Sequence, residues 1–221
     1  MKLDMHVHTR YSPDGIGEVK DLVGAVMKKG LDGMAIADHN TCGGAIEALK
    51  LKRPDFLIVP AIEITTLEGD ILAYGITKPV KRDMTAAETV EAILGCGGIP
   101  VAPHPCRPLS GMGETVVKSL YGRMPAIEVF NSKESCRRND RAAALAKELK
   151  LGGTAGSDAH SIVDAGNAYT IFDGADCLDD VLALLEKGRT WGEGEKTPAY
   201  VVMKQKLKTA GLFVGRGFKR I

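Results

Sequence analysis

Short apolar runs alternate along the chain with segments in which apolar residues recur at helical intervals. Such runs are typical of buried strands, and their alternation with helical segments is typical of a parallel sheet built from βα units. The pattern predicts seven strands, at 2–5, 33–37, 56–65, 99–102, 126–130, 153–156 and 168–172. We therefore expect an α/β protein.

Between these strands, three segments have the spacing and the end signals of helices, at 19–29, 85–94 and 139–149. The first stops at Gly30, a residue type common just after a helix, and the second begins with Thr85 and Glu88 in capping-box spacing. The string Leu-Glu-Gly at 67–69 is typical of a tight turn. We therefore expect 70–76 to return antiparallel beside the third strand.

Length and composition favour one domain spanning 1–221. The 221 residues are 44% hydrophobic and 26% charged, near the usual balance for a folded globular chain. The formal net charge of +1 indicates neither a nucleic-acid nor a membrane partner. A basic C-terminal tail at about 198–221 is the local exception, and its interpretation stays open between a solvated, partly frayed end and a contact to phosphate groups. Its basic residues are Lys204, Lys206, Lys208, Arg216, Lys219 and Arg220.

Five cysteines are spread through the chain, and none forms a C-x-x-C pair. An odd, dispersed set argues against a disulfide framework and a zinc knuckle, so we expect a cytoplasmic protein with free thiols. The chain starts without an apolar leader, and no apolar stretch approaches the roughly 18 residues of a spanning helix. We expect no membrane association, and no obligate protein partner is evident.

The five histidines share one placement, because each falls just past the end of a predicted strand. Carboxyl ends of parallel barrel strands form the face at which active sites are built, so the histidines are expected at one mouth. They are His6, His8, His39, His104 and His160.

Two local patterns add metal chemistry to this mouth. His6 and His8 lie two residues apart on a strand, so their side chains point to the same side and can bind one ion. Glu63 lies between two isoleucines in the third strand, where a carboxylate is costly unless a cation neutralises it. A metal would supply that cation, and a neighbouring arginine or lysine is the alternative.

Six strings in these regions resemble the polymerase and histidinol phosphatase (PHP) family of metal-dependent phosphoesterases, and they occur in the family's order. They are Asp4-Met5-His6-Val7-His8-Thr9, Ser12-Pro13-Asp14-Gly15, Ile36-Ala37-Asp38-His39, Ala61-Ile62-Glu63, His104-Pro105 and Gly156-Ser157-Asp158-Ala159-His160. The resemblance implies a distorted TIM-like (β/α)7 barrel that binds two or three divalent ions.

The resemblance also implies which residues hold each ion. The first ion would be held by His6, His8, Glu63 and Asp158, the second by Glu63 and His104, and the third by Asp14, His39 and His160. Among these, Glu63, Asp158 and His160 would be catalytic. Mixed nitrogen and oxygen donors suit zinc, manganese or iron, and the choice among them stays open.

One position departs from the family pattern. Many relatives have a histidine where this chain has Asp70, at the start of the strand that follows Glu63. Asp70 would serve the second ion as an oxygen ligand, favouring manganese or iron over zinc, or it is an ordinary hairpin carboxylate. We favour the ligand.

Basic and polar residues near the ligands are candidates for binding phosphate. Arg107 lies three residues after His104, and its guanidinium suits a phosphate group. The other candidates follow the fifth strand and lead into a predicted helix start, where anions are favoured. They are Asn131, Lys133 and Arg137.

These observations predict a metal-dependent phosphoesterase in which two ions activate a water for attack on phosphorus. The substrate would be a phosphomonoester, a nucleoside bisphosphate or a short 5'-phosphorylated oligonucleotide, so the enzyme would be of the phosphatase or 5'-3' exonuclease type. One alternative is an amidohydrolase that cleaves C–N bonds. The other is a nonenzymatic metal-binding interaction domain.

Overall fold

The computed structural model describes residues 1–51, 53–215 and 217. This part of the chain forms nine strands and seven helices around a mixed sheet. The strands are β1 (Lys2–Val7), β2 (Gly33–Ile36), β3 (Leu57–Thr66), β4 (Gly69–Tyr74), β5 (Ile99–Ala102), β6 (Ala126–Asn131), β7 (Gly152–Gly156), β8 (Ala168–Ile171) and β9 (Trp191–Gly194). The helices are α1 (Val19–Lys28), α2 (Gly43–Leu49), α3 (Ala86–Gly95), α4 (Gly113–Ser119), α5 (Cys136–Leu149), α6 (Leu178–Glu186) and α7 (Ala199–Gly215).

The sheet curves into a nearly closed, distorted barrel, as the resemblance implies. Its strand order is β7-β6-β5-β4-β3-β2-β1-β8-β9. The two ends meet where the backbone N–H of Gly153 donates to the carbonyl of Thr190 at 2.9 Å, just before β9. Within the described residues, seven strands run in one direction and β4 and β8 run against them.

The expectation of a parallel sheet is wrong for one predicted strand. Residues 168–172 contain β8, which pairs antiparallel with β1 and not parallel to it. The seventh strand in the common direction is β9, which the sequence analysis missed. Its sequence, Trp-Gly-Glu-Gly, has two glycines and little apolar character, so it lacks the pattern of a buried strand.

Local signals in the sequence predicted several elements correctly. The turn at 67–69 returns the chain as β4, antiparallel to β3. In α3, the Thr85 side chain accepts from the Glu88 backbone N–H at 3.2 Å, and Glu88 Oε2 accepts from the Thr85 backbone N–H at 2.9 Å. The third predicted helix, α5, begins three residues early because the Ser135 side chain caps it by accepting from the Arg138 backbone N–H.

Most of the C-terminal segment is helical in the described part of the chain. From Ala199 to Gly215 it forms α7, which returns to the mouth of the barrel. The predicted tail residues Arg216, Lys219 and Arg220 lie outside the described residues. No helix in the described part of the chain is long and apolar enough to cross a membrane. The structure has all five cysteines as free thiols.

Close packing between β1 and β7 brings the two strands with most of the candidate ligands together. A Cβ added at Gly156 would lie 2.2 Å from the Cβ of His6 and 2.6 Å from its backbone nitrogen. Only glycine fits that approach. Next to it, Asp4 accepts from the backbone N–H groups of Ser157 and Gly166, both at 2.8 Å. The Asp4 carboxylate therefore fixes the loop after β7 against β1.

Candidate metal centre

The five histidines converge at one end of the barrel, as their sequence positions predict. His6 and His8 come from β1 and its end, and His39, His104 and His160 follow β2, β5 and β7. The ring centroid of His8 lies 4.6 Å from that of His39 and 4.3 Å from that of His160. Two residues here, His104 and Asp158, have φ angles of 29° and 52°, a region that non-glycine residues rarely adopt.

Glu63 lies at the centre of this group. Its Oε2 is 3.4 Å from His6 Nε2, 3.3 Å from His8 Nε2 and 3.2 Å from His39 Nδ1. Its Oε1 is 3.1 Å from His104 Nε2. The side chain is 1% exposed. The neighbours of Glu63 are therefore four imidazoles, and not the arginine or lysine of the alternative interpretation. Such surroundings are expected of a carboxylate that bridges two metal ions.

Among the described residues, three groups of side chains have ligand atoms close enough to hold one ion each, with all ligand atoms of a group within 4.8 Å of one another. The groups are His6, His8 and Asp158; His6, Glu63 and His104; and His8, His39 and His160. They overlap through His6 and His8, so neighbouring ions would share ligands.

The donor set of these groups fits divalent metal ions. Imidazole nitrogens and carboxylate oxygens crowd together, with Nε2 of His6 and of His8 only 3.1 Å apart. Asp14 adds a buried oxygen, Oδ1, that has no hydrogen-bond partner among the described residues. Its Oδ2 lies 3.1 Å from His160 Nε2 and 3.9 Å from His39 Nε2. A cation in this space would neutralise buried acceptors that lack other partners.

Electrostatics at the centre couple histidines and carboxylates. Burial disfavours a charged His8, but the carboxylates of Asp158 and Glu63 outweigh that effect and raise the pKa of His8 to about 9. Burial likewise disfavours ionised Glu63, but the surrounding imidazoles, those of His39 and His6 most strongly, hold the pKa of that carboxyl well below its ordinary value. Glu63 is therefore an ionised carboxylate available to a cation.

Glu128, in β6, is a site residue that the sequence analysis missed. Its Oε1 lies 3.0 Å from His6 Nδ1, and its Oε2 accepts from the backbone N–H of His104 at 2.7 Å. The side chain therefore keeps the Nδ1 hydrogen on His6 and turns Nε2 toward Glu63. A signal existed, because Glu128 occupies the string Ala-Ile-Glu-Val, closely similar to the Ala-Ile-Glu-Ile string that contains Glu63.

Arg107 and Lys133, predicted to bind substrate, line the centre but contact its carboxylates. Arg107 donates to Asp158 Oδ2 and to Glu134 Oε1, both at 2.6 Å. Lys133 Nζ lies 2.7 Å from His160 Nδ1 and 3.8 Å from Asp158 Oδ1. These cations orient Asp158 and also line the cavity beside it.

Asn131 and Arg137, the other two candidates for substrate binding, lie further from the open space. Asn131 is buried, and its Nδ2 donates to Glu128 Oε2 at 2.9 Å. It therefore holds the carboxylate that contacts His6. Arg137 is exposed in the first turn of α5 and is not among the described residues that line the cavity. Its neighbour Arg138 does line it. The geometry favours Arg138 over Arg137.

Asp70, the position that departs from the family pattern, is buried and lines the same cavity. In the sheet it pairs with Thr65 of β3, two residues beyond Glu63. It lies outside the three groups whose ligand atoms are close together. Its role as a ligand stays a prediction.

The candidate metal centre forms the floor of a cavity of about 550 Å³. Seven of the candidate ligands line this cavity, α7 contributes one wall, and Arg107, Lys133, Arg138 and Lys206 add positive charge. The lining ligands are Asp14, His39, Glu63, Asp70, His104, Asp158 and His160.

Two family descriptions match this chain. The PHP domain matches residues 4–97, which include His6, His8, His39 and Glu63. The PHP-associated region matches residues 137–190, which include Asp158 and His160. The chain belongs to the PHP family. This finding confirms the resemblance on which the sequence analysis relied.

The chain is also similar in sequence to a curated protein and in fold to solved structures. Uncharacterized protein MJ1587 of Methanocaldococcus jannaschii is 33% identical over 144 residues, which are 60% of this PHP chain and 82% of the relative. A two-domain protein of Bacteroides vulgatus, described as containing a predicted PHP-like metal-dependent phosphoesterase, superimposes with a TM-score of 0.75 at 17% identity, over 94% of this chain and 69% of that one. The lesion-specific endonuclease PfuEndoQ of Pyrococcus furiosus gives 0.64 at 16% identity, over 84% and 55%.

Proposed function

We propose that this PHP protein hydrolyses phosphate esters, either of small phosphorylated metabolites or of short 5'-phosphorylated oligonucleotides, at a di- or trinuclear metal centre. One observation carries the proposal. The same cavity has an ionised carboxylate, Glu63, among four imidazoles at its floor and four basic side chains at its walls. The floor suits metal ions, and the walls suit an anionic substrate.

The residues proposed to hold the ions overlap the three groups of ligand atoms without being identical to them. Glu63 joins the first set, His6 is left out of the second, and Asp14 takes the place of His8 in the third. Zinc, manganese or iron bound there would activate water and neutralise charge on the phosphate. The proposed ligands are His6, His8, Glu63 and Asp158 for the first ion, Glu63 and His104 for the second, and Asp14, His39 and His160 for the third. Asp70 is a further candidate for the second.

The chain's own residues would position the substrate. Lys133 and Arg107 lie beside Asp158, so their positive charge would stabilise the charge that develops on the phosphate oxygens. The two bonds from Arg107 also keep Asp158 in one orientation. His160 has Nε2 toward Asp14 and Nδ1 toward Lys133, so it would hold the third ion together with Asp14 and keep Lys133 next to that ion.

The experiment that tests the proposal begins with elemental analysis of the purified protein. The protein is then stripped with chelator, reloaded separately with Mn²⁺, Zn²⁺ and Fe²⁺, and incubated with phosphomonoesters, nucleoside bisphosphates and 5'-phosphorylated oligonucleotides. We expect metal-dependent phosphate or nucleotide release from at least one class. The endonuclease among the structural neighbours is a reason to include uncut single-stranded and duplex DNA.

Two outcomes would contradict the proposal. Turnover of cyclic amides without phosphate release would favour an amidohydrolase, and Arg107 and Lys133 would then have no substrate group to bind. Tight metal binding that raises the melting temperature, with no turnover of any class, would favour a nonenzymatic metal-binding domain.

A further inference from the structure

One face of α7 forms a wall of the cavity above the metal centre. Val202, Gln205, Lys206, Thr209 and Ala210 line this space. Their positions follow the i, i+3, i+4, i+7 and i+8 spacing of a single helical stripe. Because one whole stripe of α7 faces the cavity, the side chains of that stripe limit the size and charge of the substrate groups that fit beside them.

Two hydrogen bonds hold α7 on the loops of the third ligand group. The Gln205 side chain donates from Nε2 to Asp164 Oδ2 at 2.7 Å, and Asp164 also accepts from the backbone N–H of His160. Lys208 donates from Nζ to the backbone oxygen of Asp14 at 2.9 Å. The wall is therefore fixed relative to the centre and does not merely lie near it.

The basic side chains around the cavity differ in whether a carboxylate of the protein pairs with them. Arg107, Lys133 and Arg138 each pair with a carboxylate of the protein within 4.0 Å. Lys206, an exposed residue on the α7 stripe, forms no ion pair with any of the described residues. A cation at a pocket wall without a protein counter-charge attracts an anionic group of a ligand.

We propose that α7 is the specificity-determining wall of this pocket and that Lys206 pairs with a second negatively charged group of a small phosphorylated metabolite. That group lies away from the phosphate that is cleaved. The inference rests on the proposed phosphoesterase function and narrows its substrate class. A cavity of about 550 Å³ is of the size that encloses a metabolite, and the α7 wall limits entry of larger substrates.

The test compares substrates that differ only in a distal carboxylate. The pairs are phenyl phosphate with 4-carboxyphenyl phosphate, and hexyl phosphate with the phosphate ester of 6-hydroxyhexanoate, so that a rigid and a flexible spacer are both sampled. The variant is Lys206→Met. The control is Lys204→Met, which removes an exposed lysine of the same helix that does not line the cavity in the described structure.

In the unmodified chain we expect a lower KM for the carboxylated ester of at least one pair. Lys206→Met is expected to raise that KM about fivefold, the effect of one partly exposed ion pair, with kcat and the KM of the uncharged ester unchanged. Lys204→Met should leave all these values unchanged. Equal changes for both esters of a pair, or no change in Lys206→Met, would overturn the inference.

A binding measurement separates this inference from the proposed function. Calorimetric titration of the metal-loaded protein uses phenylphosphonate and 4-carboxyphenylphosphonate, which resist hydrolysis. Tighter binding of the carboxylated compound that depends on Lys206, in a protein without turnover, would support the role of Lys206 and reject the phosphoesterase function. Phosphate release without any preference for carboxylated compounds in either assay would support the function and reject the role of Lys206.

Discussion

Glu128 and His6 form a buried pair in which Oε1 of the carboxylate lies 3.0 Å from Nδ1 of the ring. The other ring nitrogen, Nε2, lies 3.4 Å from Glu63. Glu128 thus acts on the metal centre through His6, in the way that a carboxylate behind a histidine ligand fixes the orientation and the proton of its ring.

Glu128→Gln is expected to weaken metal binding about 10- to 100-fold while the fold persists, because the ring of His6 loses its fixed orientation. Competition with a chelator of known affinity measures the change. Glu193→Gln, which alters an exposed carboxylate on β9, is the matched control and should bind metal normally. His8→Ala removes a proposed ligand and should bind less metal than Glu128→Gln. Unchanged affinity in Glu128→Gln would show that Glu128 does not position His6.

Arg107→Met is expected to destabilise the metal-free protein by about 3 kcal/mol, because it leaves the largely buried carboxylates of Asp158 and Glu134 without their cation. The loss should be smaller with metal bound, since the ion would neutralise Asp158. Urea unfolding of both forms measures the difference. Arg137→Met, at an exposed position nearby, should change neither form. An equal loss with and without metal would argue that Asp158 is not a ligand.

Gly156→Ala is expected to cost about 3 kcal/mol of unfolding free energy and to reduce metal content, because the new methyl group would collide with the backbone of His6. Gly24→Ala is the matched substitution. Its new Cβ in α1 would have no atom within 4 Å, so it should stabilise the protein by about 0.5 to 1 kcal/mol. Thermal unfolding and elemental analysis provide both readings. A Gly156→Ala protein of normal stability would mean that β1 and β7 are less closely packed.

Cys42 is expected to resist alkylation by iodoacetamide at pH 7 to 9, whereas Cys96, Cys136 and Cys177 react. Burial raises the pKa of the Cys42 thiol to about 11, so little thiolate is present below pH 9, and the side chain is 3% exposed. The other three are exposed. Peptide mass mapping after timed alkylation measures each site. Fast modification of Cys42 in the folded protein would contradict its burial.

Much of the fold and the convergence of the histidines follow from local sequence signals. The strand that carries Glu63 and the capping box of Thr85 depend on neighbouring residues, and both were predicted from them. The direction of β8 was not predictable in this way, because an apolar run has the same spacing whichever neighbour it pairs with.

In the site, too, some features follow from local sequence and others only from tertiary contacts. Glu63 and Glu128 occupy similar apolar strings, but only the first lies within a motif of the family, so the second was overlooked. The two bonds of Arg107 to carboxylates join residues 27 and 51 positions apart, which no local pattern reports. The position of α7 beside the cavity is likewise a tertiary contact that tail composition did not reveal.

The bonds between Asp4 and the loop at Ser157 and Gly166 span more than 150 residues. During synthesis, a nascent chain that ends before this loop has His6 and His8 but neither Asp158 nor His160. The first and third of the proposed ligand sets are therefore complete only after most of the polypeptide has been translated.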